Sequence, residues 1–446
     1  MLHSTVKLRV AICGNGIGGL THAYALSRFP SISVNVYEST PELSVFGAGI
    51  GMWPRTWAVL EAMGLADDMR KVSLSFPAQD KTLAFSFRRS DQAKGIEFLK
   101  MKGRGNLTTF HRGHFQGTVL RRLPPSCQIH YSKRLNSYSR DDNGPIRLHF
   151  QDGTTATCDV LVGADGIRSV TRSCLLLERS AVAQSKGRSP ADTSQLDPEF
   201  SGWTAYRSLI PCDGLGTRGS DGISLPQHPV VYIGQNNFII VYPVSFGQMI
   251  NLVVFNLKKE LQGSIYPGHW SENVGLNEVY SLTSFEKWEP EARAWLKLIQ
   301  NPTKWAIHTV KPLSSYVFEN VALLGDAAHA CVPHQGTGAG QAIEDAYILA
   351  ELLGHSSTTR DTIPRALRIY DSIRRPWTQE VANRAQLNGR YLALGLDGFD
   401  FDNSPVIDIE RNLRKLGSLL MDNWKWSWET DVREVLQKAI ERLEEV

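Results

Sequence analysis

Long apolar runs are missing from this chain, and with them any stretch fit to cross a bilayer as a helix. Its first residues, MLHSTVKLRV, lead into a strand pattern without the apolar core of a secretory signal. Cysteine is sparse. The six lie scattered at positions 13, 127, 158, 174, 212 and 331, with no CxxC pair, so neither a disulfide framework nor a zinc site is expected. Charge of one sign is also missing. Forty-eight basic residues against 45 acidic ones give +3, and no Lys/Arg-rich run offers a track for nucleic acid. A soluble protein of a reducing, cytoplasmic compartment is the expectation, acting as a monomer or homodimer.

What is present is an ordinary globular composition, 42% apolar and 21% charged, over 446 residues. That length exceeds what one hydrophobic core organises, so at least two domains are expected. The stretch VAICGNGIGGLTHAYAL, residues 10–26, passes from a β-branched strand pattern through three glycines into a helix-forming segment. Gly14 suits the tight turn, Gly16 lets backbone approach a pyrophosphate, and Gly19 permits close packing of helix on strand. The new helix presents free N–H groups and partial positive charge to the phosphates. Val34 and Val36 alternate along a second strand ending in Glu38, which is 22 residues beyond Gly16 and placed to accept both ribose hydroxyls. Strand, helix and acid together point to a dinucleotide. The bare alternative is a glycine turn holding nothing, and the motif alone does not separate NAD from FAD.

Further elements follow from pattern. Helices are expected at 54–65, 113–123, 295–303, 341–353, 363–394 and 428–446, and strands across 72–110, 128–162 and 200–260. The polar run 183–198 reads as a surface loop. NVALLGD reads as a buried strand ending in Asp326, where a carboxylate can accept hydrogen bonds from a polyol chain. Beyond Pro333, Gly336, Gly338 and Gly340 lead into another helix, whose start is suited to stabilising negative charge.

Taken together, the GxGxxG with Glu38, CDVLVGADGIRSVTR (158–172) and NVALLGDAAHACVPHQGTGAGQAIEDA (320–346) resemble the single-component FAD-dependent aromatic hydroxylases, and among them the salicylate hydroxylase-like fungal enzymes. GAGIGMWP (47–54), FHRGHF around Arg112, GWTAYRSLIP (202–211) and NWKWSWETD near the C-terminus belong to the same resemblance, which runs from residue 6 to about 433. It implies an α/β fold: a Rossmann-like FAD-binding domain in three parts (1–75, 106–180 and 306–362), an interleaved β-sheet substrate domain (76–105 and 181–305), and a C-terminal helical segment (363–446). Gly14, Gly16, Gly19 and Glu38 would hold the adenosine and pyrophosphate of FAD. Arg112 would contact the cofactor, Asp326 its ribityl and pyrophosphate region, and the Gly338 and Ala339 backbone the isoalloxazine. Asp165 and Arg168 fall where such proteins couple cofactor binding to pyridine-nucleotide use.

The implied reaction has two halves. NADPH or NADH reduces FAD, and a C4a-hydroperoxide formed with O2 delivers a hydroxyl to an electron-rich ring, with the protein supplying orientation and water exclusion. An ionised phenol is the favoured acceptor, which calls for a cation. Arg207 is the candidate, with a salt bridge or a flavin contact as its alternatives. Tyr242 is a candidate for the same cavity, against packing in the core. Trp203 and Trp53 are candidates to stack on the substrate, against simple volume filling. Pro333 is placed beside it. His329 is expected to be structural, and His334 a surface or hydrogen-bonded residue, with a base as its alternative. The competing functions are epoxidation or oxidative dearomatisation by the same cofactor, a non-catalytic protein on the same fold, and a plain NAD dehydrogenase.

Overall fold

The computed structural model describes residues 6–43, 49–73, 81–105, 107–140, 144–187, 189, 195–213, 225–244, 247–282, 285–399, 401 and 405–445. Gly47 and Ala48 of the GAGIGMWP motif, residues 141–143 within the expected strand region, and residues 188 and 190–194 of the polar run lie outside them.

Two sheets carry the architecture. The first has six strands in the order Val317–Phe318, Val321–Leu323, Val160–Gly163, Leu8–Cys13, Ile32–Tyr37 and Gln128–His130. All its pairings are parallel except the outermost, between the strands at 317–318 and 321–323. Both faces of such a sheet are covered, which is why Leu8–Cys13 and Val160–Gly163 read as continuous apolar runs and are buried almost throughout. The helix Ile17–Ser27 packs on this sheet and against the largely buried helix Gly338–Gly354.

The second sheet has eight strands in the order Ser271–Asn273, Thr303–Thr309, Glu199–Pro211, Met249–Leu257, Asn237–Val244, Val230–Gly234, Lys81–Arg89 and Ile96–Arg104. It is antiparallel except where Val230–Gly234 runs beside Lys81–Arg89. Alternation puts Trp203, Ala205 and Arg207 on one face, level with Leu257, Phe255 and Val253 of the next strand. That face meets the C-terminal helices Ile363–Leu392 and Val406–Trp424, so the sheet closes a second core of Trp53, Phe85, Phe238, Phe255, Leu416 and Trp424. A ribbon pairing Gly49–Met52 with Thr108–His111 lies between the two sheets, its Gly49 pressed against Tyr242.

Three expectations change. The helix expected over 295–303 spans Pro290–Lys297; Asn301 takes a φ of +45°, Pro302 follows, and Thr303 opens a strand. The polar run from Ala183 begins inside a helix, Val170–Ser185. Val406–Trp424 forms a helix that the patterning had left unassigned. No helix among the described residues is long and apolar enough to cross a membrane, and no cluster of His, Cys, Asp or Glu among them fits a metal ion.

Candidate active site

The glycine turn obeys its physical requirements one by one. Gly14 sits at φ +101°, and a Cβ there would fall 2.3 Å from the Ala164 carbonyl oxygen. A Cβ on Gly19 would fall 1.9 Å from the Gly14 oxygen, so helix and strand approach at a distance only glycine allows. Gly16 caps the helix and has open space on its free side, the nearest atom being an Arg112 guanidinium nitrogen at 4.0 Å. Arg112 opens the helix Arg112–Arg122.

Glu38 is prepared to accept further donors. The Asn15 N–H reaches one carboxylate oxygen at 2.9 Å; the Thr40 N–H at 2.8 Å and the Ser39 hydroxyl at 3.1 Å reach the other. Burial pushes its pKa up, but these donors outweigh it and hold Glu38 below the ordinary glutamate value. Nearby, Asn15 Nδ2 and Gln116 Oε1 are buried without a partner, although Gln116 Nε2 donates to the Asn15 carbonyl. Unsatisfied polar atoms beside a glycine cradle and a receptive carboxylate fit an adenosine diphosphate moiety.

Asp165, expected where cofactor binding is coupled to pyridine-nucleotide use, is engaged by its own loop. Its oxygens accept from the Ser169 hydroxyl at 2.5 Å and from the Thr171 N–H and hydroxyl, each at 3.0 Å. It therefore secures the start of the helix that follows. Arg168 lies over the Trp270 ring at 4.0 Å, tying the first sheet's loop to the second sheet.

Asp326 is exposed at the head of the short helix Asp326–His329, just after Gly325 at φ +60°. The turn Pro333–Gln335 and Gly336, at φ +62°, then lead into the helix beginning at Gly338 and Ala339, where the Thr337 hydroxyl is buried and unpaired. The 17-residue helix Gly338–Gly354 opens at this turn with free N–H groups and partial positive charge, the kind of end a negatively charged ring edge requires.

On the second sheet, Arg207 donates its Nε–H to the Asn251 amide oxygen at 2.6 Å. Burial lowers its pKa from the usual arginine value, and Tyr242 partly restores it. His111, across from Gly49 in the ribbon, is close enough to Arg207 for its own pKa to be lowered by burial, by His114 and by Arg207. Arg207, Tyr242, Asn251 and His111 thus form one polar cluster. Pro333 is exposed.

The structure overturns the expectation for His334. It is neither at the surface nor hydrogen-bonded: 7% exposed, with both ring nitrogens unpaired. Trp203 meets its ring edge-on at 4.4 Å, with Phe255 and Phe238 at 5.3 and 5.4 Å. Burial lowers its pKa to about 3, keeping the imidazole neutral. Trp203 therefore lines the same space. Trp53 is not among the rings on His334: its ring partners are Trp424, Trp428 and Phe85. His329 is structural as expected, bonded to Asp345 at 2.6 Å.

Patterning missed Asn251, Asn388 and Trp424, whose parts depend on distant pairing. It also passed over Glu344 and Asp345, two adjacent acids inside an apolar helix, which is itself a signal of buried partners.

Comparison with known proteins agrees with this geometry. A model of the FAD binding domain matches residues 7–212 and 295–385. A salicylate hydroxylase of Pseudomonas putida is 32% identical over 95% of this chain and 92% of its own length. A 6-methylsalicylate 1-monooxygenase of Aspergillus terreus is 31% identical over 97% of this chain and 92% of its own. Among solved structures, a salicylate hydroxylase substrate complex superposes with a TM-score of 0.80 at 28% identity, covering 97% of this chain and 98% of that one.

Proposed function

Because the chain belongs to the FAD-dependent monooxygenases that include the salicylate hydroxylases, and so is an FAD- and NAD(P)H-dependent hydroxylase of aromatic rings, we propose that its substrate is an acidic phenol of the hydroxybenzoate type, held between Arg207 and His334. The observation that carries this reading is the neutral, unpaired imidazole of His334 inside a cage of three aromatic rings. A buried donor or acceptor without a partner costs on the order of 1–3 kcal/mol, which a ligand hydroxyl recovers.

Bound FAD supplies hydride acceptance from the nicotinamide and activation of O2. Gly14, Gly16 and Glu38 would hold its adenosine diphosphate, Arg112 and Asp326 its middle, and the Gly338 and Ala339 N–H groups the edge of its ring. The remaining work belongs to the chain. Trp203, Phe238 and Phe255 shape an apolar wall that excludes water. Arg207 takes the carboxylate, a role a planar guanidinium fills with paired hydrogen bonds, while Tyr242 flanks it. His334 accepts the phenolic proton. The phenolate so formed stabilises the imidazolium, which raises a pKa that burial alone had depressed. The ring gains electron density at the carbon to be hydroxylated, and His334 returns the proton to the product.

Trp203 and Arg207 are four residues apart on one strand, roughly 13 Å at about 3.3 Å per residue. A charged Arg207 on this face speaks against an isoprenoid epoxidase, and an intact cradle with Glu38 against a non-catalytic protein. Six free cysteines support a reducing compartment.

The test is NAD(P)H oxidation with product analysis across hydroxybenzoic acids, their methyl esters and their O-methyl ethers. The free phenolic acids should stimulate oxidation and yield hydroxylated product, and both blocked series should fail. Equal turnover of acids and esters would remove Arg207 from carboxylate binding.

A further inference from the structure

His334 has no polar neighbour to aim it. Both ring nitrogens are unpaired, so its orientation comes from what crowds the ring and from what holds its backbone. On one side stand Trp203, Phe238 and Phe255 of the second sheet. On the other stands Gly389, in the helix Ile363–Leu392: a Cβ at that position would meet His334 Cδ2 at 2.4 Å and Nε2 at 2.9 Å. Gly389 sits in the last turn of its helix without a positive φ, so its backbone does not call for glycine. The space left by its missing methyl is the space the imidazole occupies.

The backbone of the turn is held by the same helix. Asn388, fully buried, donates its Nδ2–H to the His334 carbonyl at 2.8 Å. Its oxygen is fixed in turn by the Trp424 indole N–H at 2.8 Å and by Asn423 Nδ2 at 3.4 Å. Gln335 Nε2 closes the circuit on the Asn423 carbonyl at 3.1 Å. The side-chain hydrogen bonds seen on Pro333–Gln335 therefore run to the two C-terminal helices, not to either sheet.

We propose that Asn388 is a positioning residue for His334, held in place by Trp424, with Gly389 supplying the clearance for the ring, so that the C-terminal helices are a working part of the active site. The inference rests on the role given to His334 above. Because an amide that both donates and accepts is locked at both ends, Asn388 transmits the placement of helix Val406–Trp424 to the Pro333–Gln335 turn. Displacement of the imidazole by one ångström moves it away from the phenolic oxygen and leaves the cofactor site untouched. Reducing equivalents then leave as hydrogen peroxide instead of product.

The experiment is a double-mutant cycle on the FAD-loaded enzyme. The variants are His334→Gln, Asn388→Ala, Trp424→Phe and Gly389→Ala, with each of the last three repeated in the His334→Gln background. Trp424→Phe keeps the ring and removes only the N–H, so it serves where the glycine variant fails to fold. His334→Gln should lower kcat about 100-fold or more, the range of general acid–base catalysis, and flatten the pH profile. Asn388→Ala and Trp424→Phe should lower kcat about 10-fold, divert NAD(P)H into hydrogen peroxide and leave FAD affinity within twofold. In the His334→Gln background they should add less than twofold. A full 10-fold loss in that background, or wild-type kcat in all three single variants, overturns the positioning role while leaving the role of His334 standing. A wild-type rate and pH profile for His334→Gln instead overturns the base, and the positioning proposal with it.

Discussion

His329 and Asp345 are joined at 2.6 Å inside the protein, and the Asp345 oxygen that holds the imidazole also accepts the Gly325 N–H at 3.0 Å. The turn that carries Asp326 is thus fastened from behind. Asp345's other oxygen accepts Arg374 Nε–H at 2.7 Å, and Arg374 reaches Glu344 at 3.0 Å, which in turn holds Arg55 at 3.2 Å. Four buried charges cancel in pairs, and the chain ends on Thr430, which accepts from Arg55 at 2.6 Å. Burial pushes the Asp345 carboxyl up, yet His329 and Arg374 hold it well below the usual aspartate value.

Asp345→Asn should accordingly be severe. An amide cannot accept on both sides, so either Gly325 and His329 or Arg374 loses its acceptor, and Arg374 loses its counter-charge. Breaking a buried pair in this way costs about 3–5 kcal/mol. The melting temperature of the variant should fall by many degrees, and titration of apoprotein with FAD should show weakened binding even where the fold survives. Unchanged melting and FAD affinity would mean that the network is not what holds the turn.

Glu38→Gln tests the other end of the cofactor. The carboxylate faces donors on both oxygens, so an amide nitrogen there must oppose either the Asn15 or the Thr40 N–H. A loss of about 10-fold in FAD affinity, equal to about 1.4 kcal/mol, is expected by flavin fluorescence titration. The regular fold should persist, since Glu38 lies at the rim of the first core and not inside it.

Arg207→Ala should raise KM for a phenolic acid about 10- to 100-fold and increase hydrogen peroxide release, with FAD retained. Lysine should rescue charge but not the paired geometry. The blocked methyl esters supply the control: they should not distinguish the variant from wild type. Steady-state kinetics with peroxide detection would settle it, and unchanged KM would place Arg207 outside the substrate site.

How much of this could be read from the chain depends on the distance over which each feature is decided. The cradle was legible because Gly14, Gly16 and Gly19 meet their constraints within one turn, and Glu38 ends the adjacent strand. Arg207 and Trp203 were legible from the cation and the ring that an acidic phenol calls for and from the resemblance of GWTAYRSLIP; that they share one face follows only from the strand itself. The state of His334 was not legible, because it is set by three strand residues and by Gly389, brought together from separate parts of the chain. The same holds for Asn388, an unremarkable amide in a long polar helix until Trp424 and the His334 carbonyl are placed against it.

Two buried histidines make the stability of the apoprotein sensitive to mild acid. Burial lowers the pKa of His22 to about 4 and of His334 to about 3, against about 6.5 in an unfolded chain. Above pH 6.5 both are neutral in either state, and stability is unaffected. As pH falls below 6.5, the unfolded chain takes up protons that the native state refuses, so stability falls with pH until the native groups also titrate. By pH 5 each contributes a loss of about 2 kcal/mol. His22 donates from Nδ1 to the Ala346 carbonyl at 2.9 Å, and its Nε2 is buried and unpaired, so His22→Gln keeps a donor there and removes the titration. Thermal melts of apoprotein from pH 7.5 to 5.0 should show a decline that is shallower in His22→Gln. An equal decline in the variant would assign the acid sensitivity to groups other than His22.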